Sequence, residues 1–421
     1  MERFTGLIGM IVILGIAYLL SNNRKAINLR LVFSGIALQI VIAVLVLKIP
    51  PVTAFFQQLG HGMEKIEQFA RKGAEFVYGG VAVQQFNGSV ASFMSGGFVF
   101  AFNITATIIL VCVLVAILYH IGFMQRVVAS VAKAMNFIMR VSGAEALSNV
   151  ASAFVGQVEA QVMIRPYLPT MTKSEILASM SGSLACIAGG ILVVYANMGA
   201  QAGMDLAPKL ITASLMAAPG ALVIAKILFP ETEASQTMGK VTLEVKSQYS
   251  NTIDAITHGA GDGFKIAMNV IAMLIGFIAL IALVDWSLLK IGHLFSANVD
   301  LSLNFIFSKL FYPMAWAMGI PNVDVQNAAT LLGQKLTINE FVAFKSLTSK
   351  VIPIVTEKGL LIVSIAICGF ANFSSVGMLI GGIGELAPTR RKDLAELGLK
   401  ALLAGTLASY LSASIAGILI G

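Results

Sequence analysis

The chain has 421 residues, of which 57% are hydrophobic and only 12% are charged, and its mean hydropathy is +0.86. Since soluble domains carry roughly 25% charged residues, this composition excludes an ordinary soluble enzyme and a disordered chain. The net charge of +7 does not indicate nucleic-acid binding, because the basic residues are scattered singly between apolar runs. The apolar excess runs along the whole chain and predicts a multi-span membrane protein.

Eight apolar segments approach the ~20 residues that a helix needs to cross a bilayer. The first is followed by Arg24 and Lys25 and not by a small-residue cleavage site, which indicates a span and not a removable signal peptide. If the N-terminus is outside, the basic loops all face the cytoplasm, and the positive-inside rule places both termini on the non-cytoplasmic side. The predicted spans are 5–21, 31–48, 99–121, 176–199, 209–229, 266–284, 359–384 and 401–421.

Four further segments do not fit a simple span. Residues 122–140 alternate basic and apolar side chains at helical spacing, which predicts a helix in the cytoplasmic interface, and 60–78 predicts a similar helix on the outer side. Residues 144–165 and about 325–352 are moderately apolar, and each carries a central carboxylate. Because each must enter and leave on one face, we predict two re-entrant hairpins that line a cavity. The fold class is therefore an all-α integral membrane protein.

The chain contains a weak internal repeat. Glu159 in the first hairpin precedes a Gly- and Ser-rich segment at 182–192, and Glu340 in the second precedes a similar segment at 368–379. The hairpins enter from opposite sides, so the units are inverted, as in secondary transporters with broken helices and a midplane site. The predicted units are a scaffold at 1–121 with 266–284, a first transport unit at 122–260, a region at 261–324 that holds the sixth span and an outer connecting helix, and a second transport unit at 325–421.

Glu159 and Glu340 are the first candidates for chemistry. A carboxylate inside a membrane segment costs about 2.5–3.5 kcal/mol on insertion scales, so it usually faces a cavity. Gln157 both donates and accepts hydrogen bonds, which suits a polar ligand with donor and acceptor edges. A carboxylate beside the amide of Asn339 suits hydroxyl groups such as those of a sugar.

Structural explanations also exist for these groups. Either carboxylate could form a salt bridge, with Arg165 or with Lys335. Asn372, Ser374 and Ser375 interrupt an apolar span and could form helix–helix hydrogen bonds worth about 0.6–2 kcal/mol. From the residue pattern alone, ligand binding and a structural role both remain open.

Two other patterns indicate other classes of protein. Residues 259–262 (GAGD) match the GxGD motif of intramembrane aspartyl proteases, but the chain has no Tyr-Asp pair to supply the second catalytic aspartate. Cys112, Cys186 and Cys368 all lie in apolar segments, and the histidines are far apart. We therefore expect no disulfide framework, no cysteine- or histidine-based metal site and no enzyme.

Several segments together resemble the concentrative nucleoside transporter family, and the resemblance runs from about residue 99 to the C-terminus. It implies an elevator-like nucleoside symporter, usually a homotrimer, in a plasma membrane such as the bacterial inner membrane, with no cofactor besides the coupling cation. The segments that carry it are GQVEAQVMIRPYL (156–168), AAPGALVIAKILFPETE (217–233), NEFVAF (339–344), CGFANFSSVGMLIGGIGELAPTRR (368–391) and DLAELGLKALLAGTLASYL (393–411).

The resemblance implies a base site at the first hairpin and a ribose site at the second. Family members usually have Thr or Ser where this chain has Val158, so one hydrogen bond to the base is lost and the base preference is open. Many members have Pro where this chain has Gln161. The implied substrate residues are Gln157, Val158, Glu159 and Ile191 on the base side, and Glu340, Phe370, Asn372 and Ser375 on the ribose side.

The resemblance also implies a cation site beside the first hairpin. In sodium-coupled members an Asn and a Ser side chain hold the ion together with backbone carbonyls, and Ser152 and Cys186 stand at those positions here. A thiol is a poor ligand for a hard cation, so we expect proton coupling over sodium coupling, with Glu159 or Glu340 as the proton carrier. The implied cation-site positions are Ser152, Val155, Cys186 and Ile187.

The sequence therefore predicts a symporter that imports nucleosides by alternating access, coupled to H⁺ or Na⁺. Its expected partners are the nucleoside, the lipid bilayer and further copies of the chain, with no nucleic acid. The alternatives are a symporter of another polar solute such as a nucleobase or nucleotide sugar, and the intramembrane protease that the motif at 259–262 suggests. A channel is a further alternative, but the chain lacks a repeated filter motif.

Overall fold

The computed structural model describes residues 5–78, 100–238, 249–295 and 301–420, and within these ranges the regular structure is helical. The predicted all-α class is confirmed. An isolated bridge between Ser142 and Met238 is the extended pairing found there. The helices are α1 Thr5–Leu19, α2 Leu29–Lys48, α3 Pro50–Tyr78, α4 Phe100–His120, α5 Phe123–Met139, α6 Gly143–Ser152, α7 Glu159–Val162, α8 Lys173–Ala185, α9 Gly189–Gln201, α10 Ala207–Leu228, α11 Thr252–Phe295, α12 Leu303–Leu310, α13 Tyr312–Ala317, α14 Val325–Thr337, α15 Glu340–Thr348, α16 Glu357–Cys368, α17 Phe373–Leu386 and α18 Arg391–Ile420.

Five helical stretches in the described ranges are long and apolar enough to cross a membrane, and α4 with α5 forms a sixth, bent candidate. The remaining predicted spans lie in α1, which is apolar but 15 residues long, and within the 44-residue α11. The segment predicted at 60–78 forms the second half of α3. The five stretches are Leu29–Lys48, Lys173–Gln201, Ala207–Leu228, Glu357–Leu386 and Pro388–Ile420.

The segment predicted to lie in the interface forms α5, which meets α4 at an angle of 76°. Gly122 makes the corner with a φ of +75°, a backbone conformation that residues other than glycine rarely adopt. One face of α5 is buried, from Met124 through Val128 to Met139, whereas Phe137 on the other face is 84% exposed. This amphipathic pattern is typical of a helix that lies along a membrane surface.

Both predicted hairpins are present as pairs of short helices. The first consists of α6 and α7 joined through residues 153–158, and the second of α14 and α15 joined at Ile338 and Asn339. A capping box of Ser142 and Glu145 fixes the start of α6. The turn of each hairpin therefore leads directly into the helix that begins with Glu159 or Glu340.

Each hairpin is followed by a span that is broken in the middle. Residues 186–188 separate α8 from α9, and 369–372 separate α16 from α17. The two breaks are in contact, since the Phe370 amide donates to the carbonyl of Cys186 at 3.2 Å. Gly369 is required there because a side chain would collide with the backbone of Ala185. The inverted repeat thus brings two stretches of irregular backbone together.

The spans pack in two groups. In one group, α1 packs along α18 and α2 packs along α10. In the other, α4 packs along α11, and Gly259 and Gly263 permit the close approach, because a side chain at either would collide with α4 at Ile109, Cys112 or Val113. Close helix packing therefore accounts for Gly259 of the protease-like motif, whereas nothing among the described residues lies near Gly261.

A buried ion cluster that the sequence pattern did not predict fixes the base of the first hairpin. Lys226, near the end of α10, pairs with the carboxylates of Glu145 on α6 and Glu231, the latter at 3.2 Å. Its ammonium also donates to Ser174 Oγ on α8 at 2.8 Å. The side chains of Lys226 and Glu145 are only 6% and 2% exposed. The cluster therefore ties α6, α8 and α10 together away from water.

We predict that Lys226→Ala lowers the free energy of unfolding by about 3–5 kcal/mol, because it leaves Glu145 buried without a counter-ion. Thermal unfolding of the purified protein in detergent measures the effect. The matched control is Lys173→Ala, which removes an exposed lysine that pairs with Asp393 and Glu396 and should change little, since water screens such pairs. Equal unfolding midpoints for the two variants would contradict the assigned role of the cluster.

Candidate functional site

A cavity of about 230 Å³ lies where the two hairpin turns meet the two broken spans. All eight predicted substrate residues line it, together with Tyr195, Asn339 and Phe341. Ile108 of α4 and Ile266 of α11 close the side opposite the hairpins. The structure thus brings into one space the residues that the sequence placed on separate segments.

Glu340 lies at the second hairpin and is 7% exposed. The Tyr195 hydroxyl donates to its Oε1 at 3.1 Å, and the Asn372 amide donates to its Oε2 at 2.9 Å. Glu340 is also the first residue of α15, where the helix dipole favours a negative charge. No salt bridge of Glu340 with Lys335 is found among the described residues, but the charge of the buried Lys335 ammonium adds to the stabilisation that the hydrogen bonds and the dipole give this carboxylate.

Asn372 connects Glu340 to the broken span. Its Oδ1 accepts the Ser375 amide at 2.8 Å and the Ser374 hydroxyl at 2.9 Å, which caps the start of α17. Asn339 caps α15 in the same way by accepting the Val342 amide at 2.9 Å. Both amide side chains are thereby held in fixed orientations at the cavity wall.

The first hairpin contributes Gly156, Gln157, Val158 and Glu159 to the opposite wall. Gln157 Oε1 has no hydrogen-bond partner among the described residues. The Glu159 carboxylate lies over Gly156, where no side chain would fit, and it forms no salt bridge with Arg165 in the part of the chain that the structure describes. These polar groups are available to a ligand.

A second cavity of about 170 Å³ adjoins the first and shares Gly156, Glu159 and Ile191 with it. It extends between the first hairpin and the helices α4 and α11, past Tyr119 and Asp262. Glu159 therefore stands where the two cavities meet, and a ligand can reach it from either.

The four predicted cation-site residues lie beside the first hairpin, at the packing of α6 on α8. Ser152 Oγ donates to the Ser148 carbonyl at 2.8 Å and lies 3.0 Å from Ser183 Oγ. Cys186 Sγ lies 3.9 Å from the Asn149 carbonyl. The side chains of Val155 and Ile187 are apolar and buried. The side chains thus offer a cation one hydroxyl oxygen, which already forms hydrogen bonds, and one thiol sulfur, and this is a poor set of ligands for sodium.

Sequence reasoning missed two parts of the site. The first is Tyr195, which is 1% exposed and stacks on Phe344 with ring centroids 4.5 Å apart. The sequence could have indicated it only as a tyrosine within an apolar span, because a buried phenol hydroxyl needs a hydrogen-bond partner. The second is a hydrogen-bond network between Gln161 and serines on α8. The sequence could not indicate it, because a serine in a helix usually forms a hydrogen bond with its own backbone.

Comparison with known proteins shows the family. The description "Na+ dependent nucleoside transporter" fits the N-terminal region at residues 8–81 and the C-terminal region at 209–417, and a "nucleoside recognition" gate domain fits 101–202. The nucleoside permease NupC of Helicobacter pylori is 37% identical over 98% of this chain and 97% of that protein. The sodium/nucleoside cotransporter 2 of Mus musculus is 34% identical over 99% of this chain and 63% of that protein.

Solved structures of a similar fold support the same family. CNTnw in an inward-facing substrate-bound state has a TM-score of 0.90 and 39% identity over 99% of this chain and 98% of that one. A variant of CNTnw in an outward-facing state also has a TM-score of 0.90, with 39% identity over 100% of this chain and 99% of that one. The fold is that of these membrane transporters, and the family consists of transporters and not of enzymes. The chain belongs to the nucleoside transporter family, as the sequence resemblance implied.

We predict that Tyr195→Phe weakens nucleoside binding about 3- to 10-fold, because it removes one hydrogen bond to the Glu340 carboxylate and keeps the stacking on Phe344. The KM for nucleoside uptake measures the effect. Tyr410→Phe is the matched control, since the Tyr410 hydroxyl is buried and has no hydrogen-bond partner in the described ranges. A KM that is unchanged in Tyr195→Phe would show that Tyr195 does not orient Glu340 for the substrate.

Proposed function

We propose that the chain is a symporter that imports nucleosides across a plasma membrane, which we take to be a bacterial inner membrane. The observation that carries this proposal is a cavity in which a fixed carboxylate–amide pair, Glu340 and Asn372, faces Gln157, whose Oε1 has no hydrogen-bond partner in the described part of the chain. A nucleoside has hydroxyl groups at one end and a hydrogen-bonding base at the other, and this arrangement complements both.

The ribose end is assigned to the second hairpin. Each Glu340 oxygen already accepts one hydrogen bond from the protein, and a carboxylate has about four acceptor positions in total. The remaining positions can accept the hydroxyl groups of a ribose. Ser375 lines the same cavity at the start of α17, where its amide donates to Asn372, and Phe370 adds an apolar wall.

The base end is assigned to the first hairpin. Gln157 and Glu159 offer hydrogen-bonding groups to the base edge, whereas Ile191 and Val158 present apolar surface. The methyl groups of Val158 lie against Gly382 of α17. An apolar residue at this point lets the cavity accept a base without demanding a hydrogen bond there.

For coupling, we favour protons over sodium and Glu159 as the proton carrier. The donors at the predicted cation site suit sodium poorly, as Ser152 and Cys186 show. Glu340 is held by two donors that favour its ionised form. Glu159 has no side-chain partner among the described residues and stands at the junction of the two cavities. It can therefore take up and release a proton without breaking a hydrogen bond to another side chain.

Transport would proceed by an elevator-like movement of the hairpins and broken spans past α4 and α11, in a homotrimer. CNTnw has been solved in an inward-facing and, as a variant, in an outward-facing state. We group α1 and α2 with the moving unit, in place of the sequence-based assignment to the scaffold, because they pack along α18 and α10. Gly35 of α2 lies so close to Val223 of α10 that a side chain would not fit. Both termini are assigned to the non-cytoplasmic side on the positive-inside rule.

We predict that Glu340→Gln lowers nucleoside uptake at least about 100-fold while the protein stays folded. The substitution places an amide where Tyr195 or Asn372 donates, and hydrogen bonds to a charged group are worth about 1.5–3 kcal/mol each. Uptake into proteoliposomes measures the effect. Glu385→Gln, at an exposed position on α17, is the control and should transport normally. Normal uptake by Glu340→Gln would overturn the ribose assignment.

We predict that Val158→Thr changes the ranking of nucleosides. Threonine has nearly the same shape, so the contact with Gly382 is kept, and the new hydroxyl adds a hydrogen-bonding group at the base side. Competition of uridine, cytidine, adenosine and guanosine for uptake measures the ranking, with free nucleobases as non-competing controls. An identical ranking in both proteins would move the base site elsewhere, and competition by free bases would favour a nucleobase transporter.

A further inference from the structure

A closed network of hydrogen bonds lies behind the turn of the first hairpin. Gln161 of α7 donates from Nε2 to Ser183 Oγ at 2.8 Å and accepts at Oε1 from Ser179 Oγ at 2.7 Å. Ser179 and Ser183 stand one turn apart on the same face of α8. The three side chains are at most 1% exposed. The amide of Gln161 therefore spans two successive turns of α8 without contact to water.

The network reaches the substrate cavity through the backbone. Ser183 Oγ accepts from Gln161 and donates to the carbonyl of Gln157 at 3.1 Å. The side chain of Gln157 lines the cavity. The path from Gln161 to the cavity wall is thus two hydrogen bonds long, and the position of the hairpin turn depends on it.

The same network engages the hydroxyl of Ser152. Ser152 Oγ lies 3.0 Å from Ser183 Oγ and 2.8 Å from the Ser148 carbonyl. Because Ser183 donates to Gln157, the single hydroxyl proton of Ser152 serves one of these two contacts at a time. The side-chain oxygens of Ser152, Ser179, Ser183 and Gln161 all have protein partners, and each lies on a buried residue. A cation at this place would have to displace existing hydrogen bonds. That is costly, because a buried polar group that loses its partner raises the free energy.

We propose that Gln161 is a positioning residue that joins the first hairpin to α8 in place of a bound cation. Its N–H group donates to Ser183 Oγ, which lies 3.0 Å from Ser152 Oγ at the predicted cation site. Through Ser183 it holds the Gln157 backbone for the substrate. This inference rests on the proposed function and deepens it, because it gives a reason why nucleoside binding does not need sodium.

The test is Gln161→Met, which keeps the side-chain volume and removes both hydrogen bonds. Uptake of uridine and adenosine into proteoliposomes under a proton gradient, with choline replacing sodium, gives KM and the maximal rate per folded transporter. We expect KM to rise about tenfold, because a change of this size corresponds to the loss of one to two buried hydrogen bonds. The maximal rate should stay within about twofold of the wild type. A merely structural defect would lower the maximal rate and leave KM unchanged.

Gln39→Met is the matched control. Gln39 is equally buried, but its Oε1 accepts from Ser412 on α18, away from both hairpins, so its KM should match the wild type. Ser179→Ala is the second variant, since it removes only the hydroxyl that orients Gln161, and KM should rise by a smaller factor. If Gln161→Met does not fold, the KM of Ser179→Ala tests the proposal.

Three outcomes would overturn a part of the account, and they are distinguishable. Wild-type uptake of neither nucleoside would overturn the proposed function. A wild-type KM that rises when choline replaces sodium would overturn the claim that the amide stands in place of a cation. Wild-type uptake with an unchanged KM in Gln161→Met and Ser179→Ala would overturn the positioning role of Gln161.

Discussion

The site depends on the contact between two breaks in membrane helices. Backbone groups freed from a helix are costly in a bilayer unless protein or a water-filled cavity satisfies them. Here the Phe370 amide donates to the Cys186 carbonyl, so each break supplies part of what the other lacks. Asn372 satisfies the start of α17 with its side chain. Once the breaks meet, the helices α9 and α17 begin at one cavity, and the two hairpins can close around it.

The two carboxylates of the cavity have different surroundings. Glu340 is fixed by Tyr195, Asn372 and the start of α15, which suits constant recognition of hydroxyl groups. Glu159 lies over Gly156 at the meeting point of two cavities and has no side-chain partner in the described part of the chain. The hydrogen bonds to Glu340 favour its ionised form, and our proposal assigns the change of protonation to Glu159.

Much of this arrangement could be predicted from the sequence, because membrane segments restrict where polar residues stand. Glu159 and Glu340 in moderately apolar segments marked both hairpins, and Asn372 marked the second break. The partner of Glu340 could not be predicted, because Tyr195 stands on another helix and nothing in its local sequence indicates a contact 145 residues away. Lys226 was missed for a similar reason, since its carboxylate partner Glu145 is distant in the chain. The packing of α1 and α2 on α18 and α10 also depends on tertiary contacts that hydropathy does not encode.

The central claim is that this cavity binds a nucleoside and couples its entry to protons. The most direct measurement is uptake of uridine and adenosine into proteoliposomes, with a proton gradient and a sodium gradient imposed separately. Concentrative uptake that a proton gradient drives, and that a sodium gradient alone does not drive, is the result we predict. Concentrative uptake driven by sodium alone would contradict the coupling through Glu159, and no uptake of either nucleoside under either gradient would contradict the substrate assignment.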